Sequence, residues 1–330
     1  MRVYIIAEAG VNHNGDFGTA CRLIEAAKTA GADCVKFQTF RASNVASVFA
    51  KKADYQSVSV PSGASQLEML RKLELSYQQF LDLKDYCNRI GIDFVSTPFD
   101  LESITFLAAL DMPFWKIPSG EVTNLPYLLA VAETNRPVVM STGMCKLDEI
   151  QTAVNVLKGG GAGDIILLHC NTEYPTPYED VNLSAMKTLR ETLHCPVGYS
   201  DHTVGIEVPV AAAALGAVII EKHFTLDRNM EGPDHRSSLE PGELATMTAA
   251  IRHIEQAIGD GVKTPSPSER KNIAAVRKSI VARHPILKGE VLTEENLTVK
   301  RPGTGISPMR WFEVLGSRAS RNFEEDELIE

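Results

Sequence analysis

Eight short, β-prone runs recur along this chain, and each is followed by a segment with the residue pattern of a helix. Most of the runs are continuously apolar, which is typical of parallel strands covered on both sides. The runs span residues 3–8, 34–38, 93–97, 114–118, 138–142, 165–169, 197–200 and 218–223. The helical patterns span residues 19–30, 65–90, 101–110, 125–135, 147–157, 183–192, 206–215 and 241–258. Eight strand–helix repeats predict an α/β fold of the (β/α)8 TIM-barrel type. The competing doubly wound sheet usually carries a glycine-rich phosphate loop after its first strand, and none is seen here.

The pattern changes near residue 263, where Pro, Ser and charged residues accumulate. Such a composition is typical of an exposed linker between domains. We therefore predict a barrel over residues 1–262, a linker over 263–275 and a small β-rich domain over 276–330. The segment 41–65, which follows the second strand, is expected to be a lid or a dimer contact.

The chain carries a formal net charge of −9 and 44% hydrophobic residues. An acidic chain lacks the basic footprint of a nucleic-acid-binding protein. No apolar run approaches the roughly 20 residues that span a bilayer, so no membrane partner is expected. The six cysteines form no CxxC pair and are expected to be free thiols of a reducing, cytoplasmic compartment.

Polar residues follow every predicted strand, at the end where TIM barrels carry their active sites. Lys36 and Lys116 would point into this ring among several hydroxyls, which favours binding of a phosphate and a carboxylate. Two other readings stay open: a structural ion pair of these lysines with Glu8 or Glu121, and a Schiff-base lysine.

His202 and His223 end adjacent predicted strands, so their imidazoles could share a divalent ion together with a carboxylate such as Glu121. Mn2+ suits this ligand set best, with Mg2+ or Co2+ as alternatives. Two hydrogen-bonded core histidines are the structural alternative. Asp234, in the turn-rich segment after the eighth strand, could accept hydrogen bonds from sugar hydroxyls.

Ten short motifs resemble the sialic acid synthase family, in the right order along almost the whole chain. They are IAEAGVNHNG (6–15), KFQ (36–38), STPF (96–99), KIPSGE (116–121), STGM (141–144), YPTP (174–177), YSDHT (199–203), EKHF (221–224), GPDH (232–235) and KRPGTGI (300–306). The last resembles the family's antifreeze-like, or SAF, domain. The resemblance implies a metal-dependent condensation of phosphoenolpyruvate with the open-chain aldehyde of an N-acylmannosamine, with release of phosphate by C–O cleavage.

The resemblance also assigns roles by motif position. Phosphoenolpyruvate would be held by Lys36, Thr97, Lys116, Ser119, Ser141 and Ser200. The metal would be held by His202 and His223, with Glu121 beside it. The amino sugar would be contacted by Gln38, Tyr174 and Asp234, and Glu8 would handle protons or orient the water.

In the family the small domain reaches the barrel of a partner subunit, and Arg301 matches an arginine that contacts the N-acyl group there. A domain-swapped homodimer is therefore expected. Members dedicated to N-acetylmannosamine often have Asn where Thr172 stands, and the run HRSSLEP (235–241) resembles synthases that use a 2,4-diacetamido-6-deoxy sugar and make legionaminic acid. The alternatives are an N-acetylneuraminate synthase that uses N-acetylmannosamine, a synthase that acts on phosphorylated sugars, and a non-catalytic carbohydrate-binding protein.

Overall fold

The computed structural model of the protein describes residues 2–50 and 65–330. It divides into two compact units, Met1–Gly259 and Asp260–Glu330. Eight parallel strands form the first unit: β1 (Tyr4–Gly10), β2 (Cys34–Thr39), β3 (Asp93–Pro98), β4 (Trp115–Ile117), β5 (Val138–Ser141), β6 (Ile165–His169), β7 (Val197–Asp201) and β8 (Ile219–His223). Their hydrogen-bonded order is β3-β2-β1-β8-β7-β6-β5-β4. Because β3 and β4 also contact each other, the sheet closes, and the predicted barrel fold is confirmed.

Helices follow the strands of this barrel, and most of them cover its outside. They are Phe17–Thr29, Ala42–Val45, Gln66–Leu73, Tyr77–Ile90, Leu101–Ala108, Leu125–Ala132, Leu147–Gly159, Ala185–Leu193, Glu207–Ala214 and Pro241–Ala257. The core between helices and strands is aliphatic and aromatic, and includes Leu23, Phe80, Leu107 and Met247, all buried. None of the helices described, in residues 2–50 and 65–330, is long and apolar enough to cross a membrane.

The helical pattern predicted over residues 65–90 is two helices, Gln66–Leu73 and Tyr77–Ile90. Each begins with a capping box: Ser65 pairs with Glu68, and Ser76 pairs with Gln79. The second capping box starts a new helix, so the chain can turn between them. Residues 51–64, most of the expected lid or dimer contact, lie outside the described part of the chain.

The second unit contains an antiparallel pair, β9 (Ser279–Ala282) and β10 (Leu297–Lys300), with the short helix Trp311–Val314. Ile280, Leu297 and Phe323 lie in its small core. Most of the residues predicted as a linker, 263–275, belong to the helix Pro267–Val276. Ser266 and Glu269 form a capping box, and Pro267 occupies the first turn, where proline is favourable.

Candidate active site

A cavity of about 420 Å³ opens at the carboxyl ends of the barrel strands. Most side chains that the sequence singled out line it. From the strands and the loops that follow them come Glu8, Lys36, Gln38, Thr97, Lys116, Ser119, Ser141, Tyr174, Ser200, His202, His223 and Asp234. The last inward-facing side chains of the strands point into this cavity, as expected for this fold.

The floor of the cavity is a network of buried charges. Lys36 Nζ lies 2.5 Å from Glu8 Oε1 and 3.7 Å from Glu221 Oε2. Lys116 Nζ lies 3.3 Å from Glu221 Oε1 and donates to Ser141 Oγ at 2.8 Å. Both lysines are nearly inaccessible, at 2% and 3% exposure. The two ammonium groups are therefore balanced by two carboxylates.

This network fixes the ionisation of Lys36 and Glu8. Burial alone would lower the pKa of Lys36, but Glu221 and Glu8 beside it raise that pKa above its ordinary value. Burial would likewise raise the pKa of Glu8, yet His223 and Lys36 hold it well below its usual range. A lysine that stays protonated is a poor nucleophile and a good anion ligand, so Lys36 is unsuited to Schiff-base chemistry.

Hydroxyl groups surround the lysines. Thr97 Oγ1 accepts a weak hydrogen bond from Lys36 Nζ at 3.4 Å, and Ser200 Oγ donates to Glu221 Oε1 at 2.8 Å. Ser119 Oγ accepts from the Gly143 backbone N–H at 2.9 Å, which fixes it at the cavity wall. Lysines with adjacent hydroxyl donors suit the several oxygens of a phosphate or a carboxylate.

Two imidazoles lie beside the charged floor. The ring centroids of His202 and His223 are 5.4 Å apart, and the Tyr174 ring packs on both, at 4.2 and 5.7 Å. His202 Nδ1 is 2.6 Å from the Asn171 carbonyl, and burial lowers the pKa of His202 to about 3. The ring is therefore neutral, with Nδ1–H donating and the Nε2 lone pair available.

A divalent metal fits this pair. A backbone carbonyl on one ring nitrogen is the usual support of a histidine that ligates a metal through the other. Among the described residues, His223 Nδ1 is buried without a hydrogen-bond partner, and its Nε2 lies 3.4 Å from Glu8 Oε2. No group of three or more His, Cys, Asp or Glu side chains in residues 2–50 and 65–330 has metal-site geometry. The remaining ligands would have to be water or substrate oxygens.

Known proteins resemble the chain over its whole length. The NeuB family profile matches residues 23–263, and the SAF domain profile matches residues 277–330. The chain belongs to the NeuB family. This confirms the resemblance to sialic acid synthases seen in the motifs.

Several members of the NeuB family are closely similar to it. The chain is 54% identical to the N,N'-diacetyllegionaminic acid synthase of Campylobacter jejuni, with 99% of each chain covered. It is 47% identical to the protein of the same name from Legionella pneumophila, over 98% of this chain and 92% of that one. A crystal structure of N-acetylneuraminic acid (sialic acid) synthetase from Leptospira borgpetersenii, in complex with citrate, superposes with a TM-score of 0.73 at 36% identity. That match covers 83% of this chain and 90% of the other.

Two residues expected in the site, Glu121 and Arg301, are not among the described residues that line the cavity. Glu121 ends the short 3-10 helix Ser119–Glu121 and accepts a hydrogen bond from Asn124 Nδ2 at 2.6 Å, and it is not among the residues that line the cavity. Burial raises its pKa. Arg301 follows β10 in the second unit, is exposed, and donates through Nε to the Val276 carbonyl at 3.1 Å.

Glu221 is the functional residue that the sequence reasoning left without a role. It lies on β8 two residues before His223, so both side chains point to the same face of the strand. Its carboxylate contacts both lysines and Ser200. Side chains alternate along β8, so Glu221 and His223 lie on one face and Lys222 lies on the other. This alternation is the signal that could have assigned Glu221 to the cavity.

Lys222 points away from the cavity and forms a fully buried ion pair with Asp201. Asp201 also accepts hydrogen bonds from the backbone N–H and the hydroxyl of Thr203. The pair joins the ends of β7 and β8; His202 directly follows β7, and His223 is the last residue of β8. The pair therefore stabilises the backbone that positions the two imidazoles.

The loop after β8 is held by its own polar residues. His235 is buried, with Nδ1 2.7 Å from Thr225 Oγ1 and Nε2 3.3 Å from Asn14 Oδ1. Ser238 Oγ donates to the Asp234 carbonyl at 2.7 Å. These contacts fix the loop with the Asp234 side chain at the cavity, and burial raises the pKa of Asp234.

Proposed function

We propose that this protein joins phosphoenolpyruvate to the open-chain form of a 2,4-diacetamido-6-deoxy sugar and so makes N,N'-diacetyllegionaminic acid. The observation that carries the proposal is the pair of buried lysines that share Glu221 at the barrel mouth. Identities of 54% and 47% to two N,N'-diacetyllegionaminic acid synthases support this sugar over N-acetylmannosamine.

Lys36 and Lys116 would bind the phosphate and carboxylate groups of phosphoenolpyruvate. Before the substrate arrives, Glu8 and Glu221 compensate their charges. The substrate brings its own negative charge, so the lysines would exchange carboxylate contacts for contacts to the substrate. Ammonium groups next to a departing phosphate stabilise the charge that develops on it.

The reaction balances with the groups that surround the cavity. Carbon 3 of the enol forms a bond to the aldehyde carbon, and the aldehyde oxygen takes up a proton. Water adds to the cationic carbon 2 and loses a proton. The bond between carbon 2 and the phosphate oxygen then breaks. The new hydroxyl gives its proton to the departing phosphate, and the products are the ketone and hydrogen phosphate. Glu8, held ionised by its neighbours, would accept a hydrogen bond from the attacking water and orient it.

His202 and His223 would hold a divalent metal, for which Mn2+ is our first choice. When bound, such an ion polarises the aldehyde oxygen as a Lewis acid. The chain's own contribution is to keep the His202 ring neutral and oriented through the Asn171 carbonyl. The Tyr174 ring packs against both imidazoles and would face the sugar.

The test is a substrate panel with the purified full-length protein, Mn2+ and phosphoenolpyruvate. Phosphate release is measured with the diacetamido-6-deoxy sugar and, separately, with N-acetylmannosamine. We expect release with the first sugar and a product with the mass of diacetyllegionaminic acid. Lys116→Ala should lower the rate by about 10²–10³-fold, as for loss of one transition-state donor. The surface variant Lys187→Ala, at a side chain that is 76% exposed, is the matched control. Full activity of Lys116→Ala, or release only with N-acetylmannosamine, would contradict the proposal.

We also propose that the active form is a domain-swapped homodimer in which Arg301 of one chain contacts the sugar in the cavity of the other. The support is the match of residues 300–306 to the family motif and the exposed position of Arg301. A complementation assay tests it: Lys116→Ala and Arg301→Ala chains, each expected to have strongly reduced activity alone, are unfolded, mixed and refolded together. Activity well above that of either variant alone is expected, and a mixture no more active than the separate variants, with correct folding, would refute a shared site.

A further inference from the structure

One wall of the cavity is apolar, in contrast to its charged floor. Six side chains form this wall: Val11, Phe40, Met69, Leu70, Leu73 and Phe99. They belong to a hydrophobic cluster that is separate from the core between helices and strands. We refer to these six side chains as the apolar wall.

The apolar wall continues the inner faces of β2 and β3 outwards from the floor. Phe40 follows Gln38 by two residues, and Phe99 follows Thr97 by two residues, so each aromatic ring lies on the same face as the polar residue before it. Two residues advance an extended chain by about 6–7 Å. The rings of Phe40 and Phe99 pack edge to face, with centroids 6.5 Å apart.

The helix Gln66–Leu73 completes the wall. Leu73 lies four residues after Met69 and three residues after Leu70, so the three side chains occupy one face of the helix. Met69 and Leu73 are buried, whereas Leu70 is half-buried and faces the cavity. Gln66, which also lines the cavity, lies one turn before Leu70 and marks the polar edge of the wall.

We propose that the apolar wall binds the C6 methyl group of the sugar and selects a 6-deoxy substrate over a 6-hydroxy one. The inference rests on the proposed function. The aldehyde carbon must meet phosphoenolpyruvate at the lysines, and C6 is the carbon of the chain farthest from it. An extended sugar with C1 at the floor therefore carries C6 outwards, towards the level of Phe40 and Phe99.

The chemistry of the wall determines which group it favours. A methyl group that leaves water for this surface gains hydrophobic free energy. A hydroxymethyl group there would give up hydrogen bonds to water, and the six side chains offer no donor or acceptor in return. An apolar pocket discriminates between such groups by about 10- to 100-fold in kcat/KM.

The experiment compares two 2,4-diacetamido sugars that differ only at C6, methyl in one and hydroxymethyl in the other. The kcat/KM of each is measured with phosphoenolpyruvate and Mn2+ for the full-length protein. We expect the wild type to prefer the methyl sugar by about 10- to 100-fold. Leu70→Gln should reduce this ratio to near unity, mainly by raising the KM of the methyl sugar, and the conservative variant Leu70→Met should keep the ratio.

Leu81→Gln is the control, because it makes the same change at an exposed position of another helix that does not line the cavity. It should leave the ratio unchanged. Turnover of the methyl sugar with a wild-type ratio near unity would overturn this inference and leave the proposed function intact. An unchanged ratio in a folded Leu70→Gln variant would overturn it too. Turnover of neither sugar would refute the proposed function itself.

Discussion

Replacing Glu221 by Gln removes one negative charge from the floor of the cavity and changes almost nothing in shape. Within the described part of the chain, Glu221 is the carboxylate that forms an ion pair with Lys116, and Glu221 is 2% exposed. Lys36 keeps its contact to Glu8 in the variant. Among the described residues, Lys116 keeps the Ser141 hydroxyl and gains a neutral amide oxygen at position 221, but it has no carboxylate within ion-pair distance. The variant therefore buries an uncompensated ammonium group.

The cost of breaking a buried pair in this way is about 3 kcal/mol of unfolding free energy. For a domain of this size, that corresponds to a fall in melting temperature of roughly 6–12 °C. Phosphoenolpyruvate supplies the missing negative charge, so it should bind the variant more tightly than the wild type. If binding recovers the whole cost, Kd falls by up to about a hundredfold.

The assay is thermal unfolding of the wild type and Glu221→Gln over a series of phosphoenolpyruvate concentrations. We expect a lower melting temperature for the free variant and a larger stabilisation by phosphoenolpyruvate. Glu191→Gln is the control, because the Lys187–Glu191 pair is exposed and such pairs contribute less than about 1 kcal/mol. Equal melting temperatures and equal stabilisation by phosphoenolpyruvate would refute the claim that Glu221 balances the lysines that bind it.

Three further predictions address other parts of the molecule. Removing divalent ions with EDTA should abolish phosphate release, and added Mn2+ should restore it; an undiminished rate in EDTA would exclude the two-imidazole metal site. Asp201→Asn should cost about 3–5 kcal/mol in urea unfolding, because it leaves Lys222 buried without its partner; a cost below about 1 kcal/mol would show that the pair is not structural. Burial lowers the pKa of His13 from 6.5 to about 4, so below pH 6.5 the unfolded chain binds a proton that the folded chain does not. His13 should thus contribute a fall of up to about 3 kcal/mol in the free energy of unfolding as pH drops from 6.5 to 4. The free energy of unfolding of the His13→Gln variant should fall less steeply over that range; an identical slope would count against this assignment.

The sequence was sufficient to predict the barrel, because the eight apolar runs and their intervening helical patterns leave one common closed arrangement. The sequence also predicted that four residues lie at one end of that barrel, because the carboxyl ends of parallel strands lie on the same side of the sheet. The structure places all four at the cavity: Lys36, Lys116, His202 and His223. Side chains on regular strands were placed well because their direction alternates with a period of two.

The sequence pattern was least informative where that period does not apply. Glu121 lies on a 3-10 helix after β4, and its direction cannot be read from strand alternation. The break before Tyr77 and the helix after Ser266 depend on capping boxes, which are local signals that a search for apolar periodicity passes over. Glu221 was recognisable in principle, but its contacts to two lysines from other strands depend on how the barrel closes.

The most direct measurement is a crystal structure of the full-length protein soaked with phosphoenolpyruvate. We predict that the ligand lies at the carboxyl ends of the strands, with its phosphate and carboxylate oxygens within hydrogen-bond distance of Lys36 and Lys116. A ligand bound elsewhere, with Lys116 still paired to Glu221, would contradict the assignment of these lysines to substrate binding.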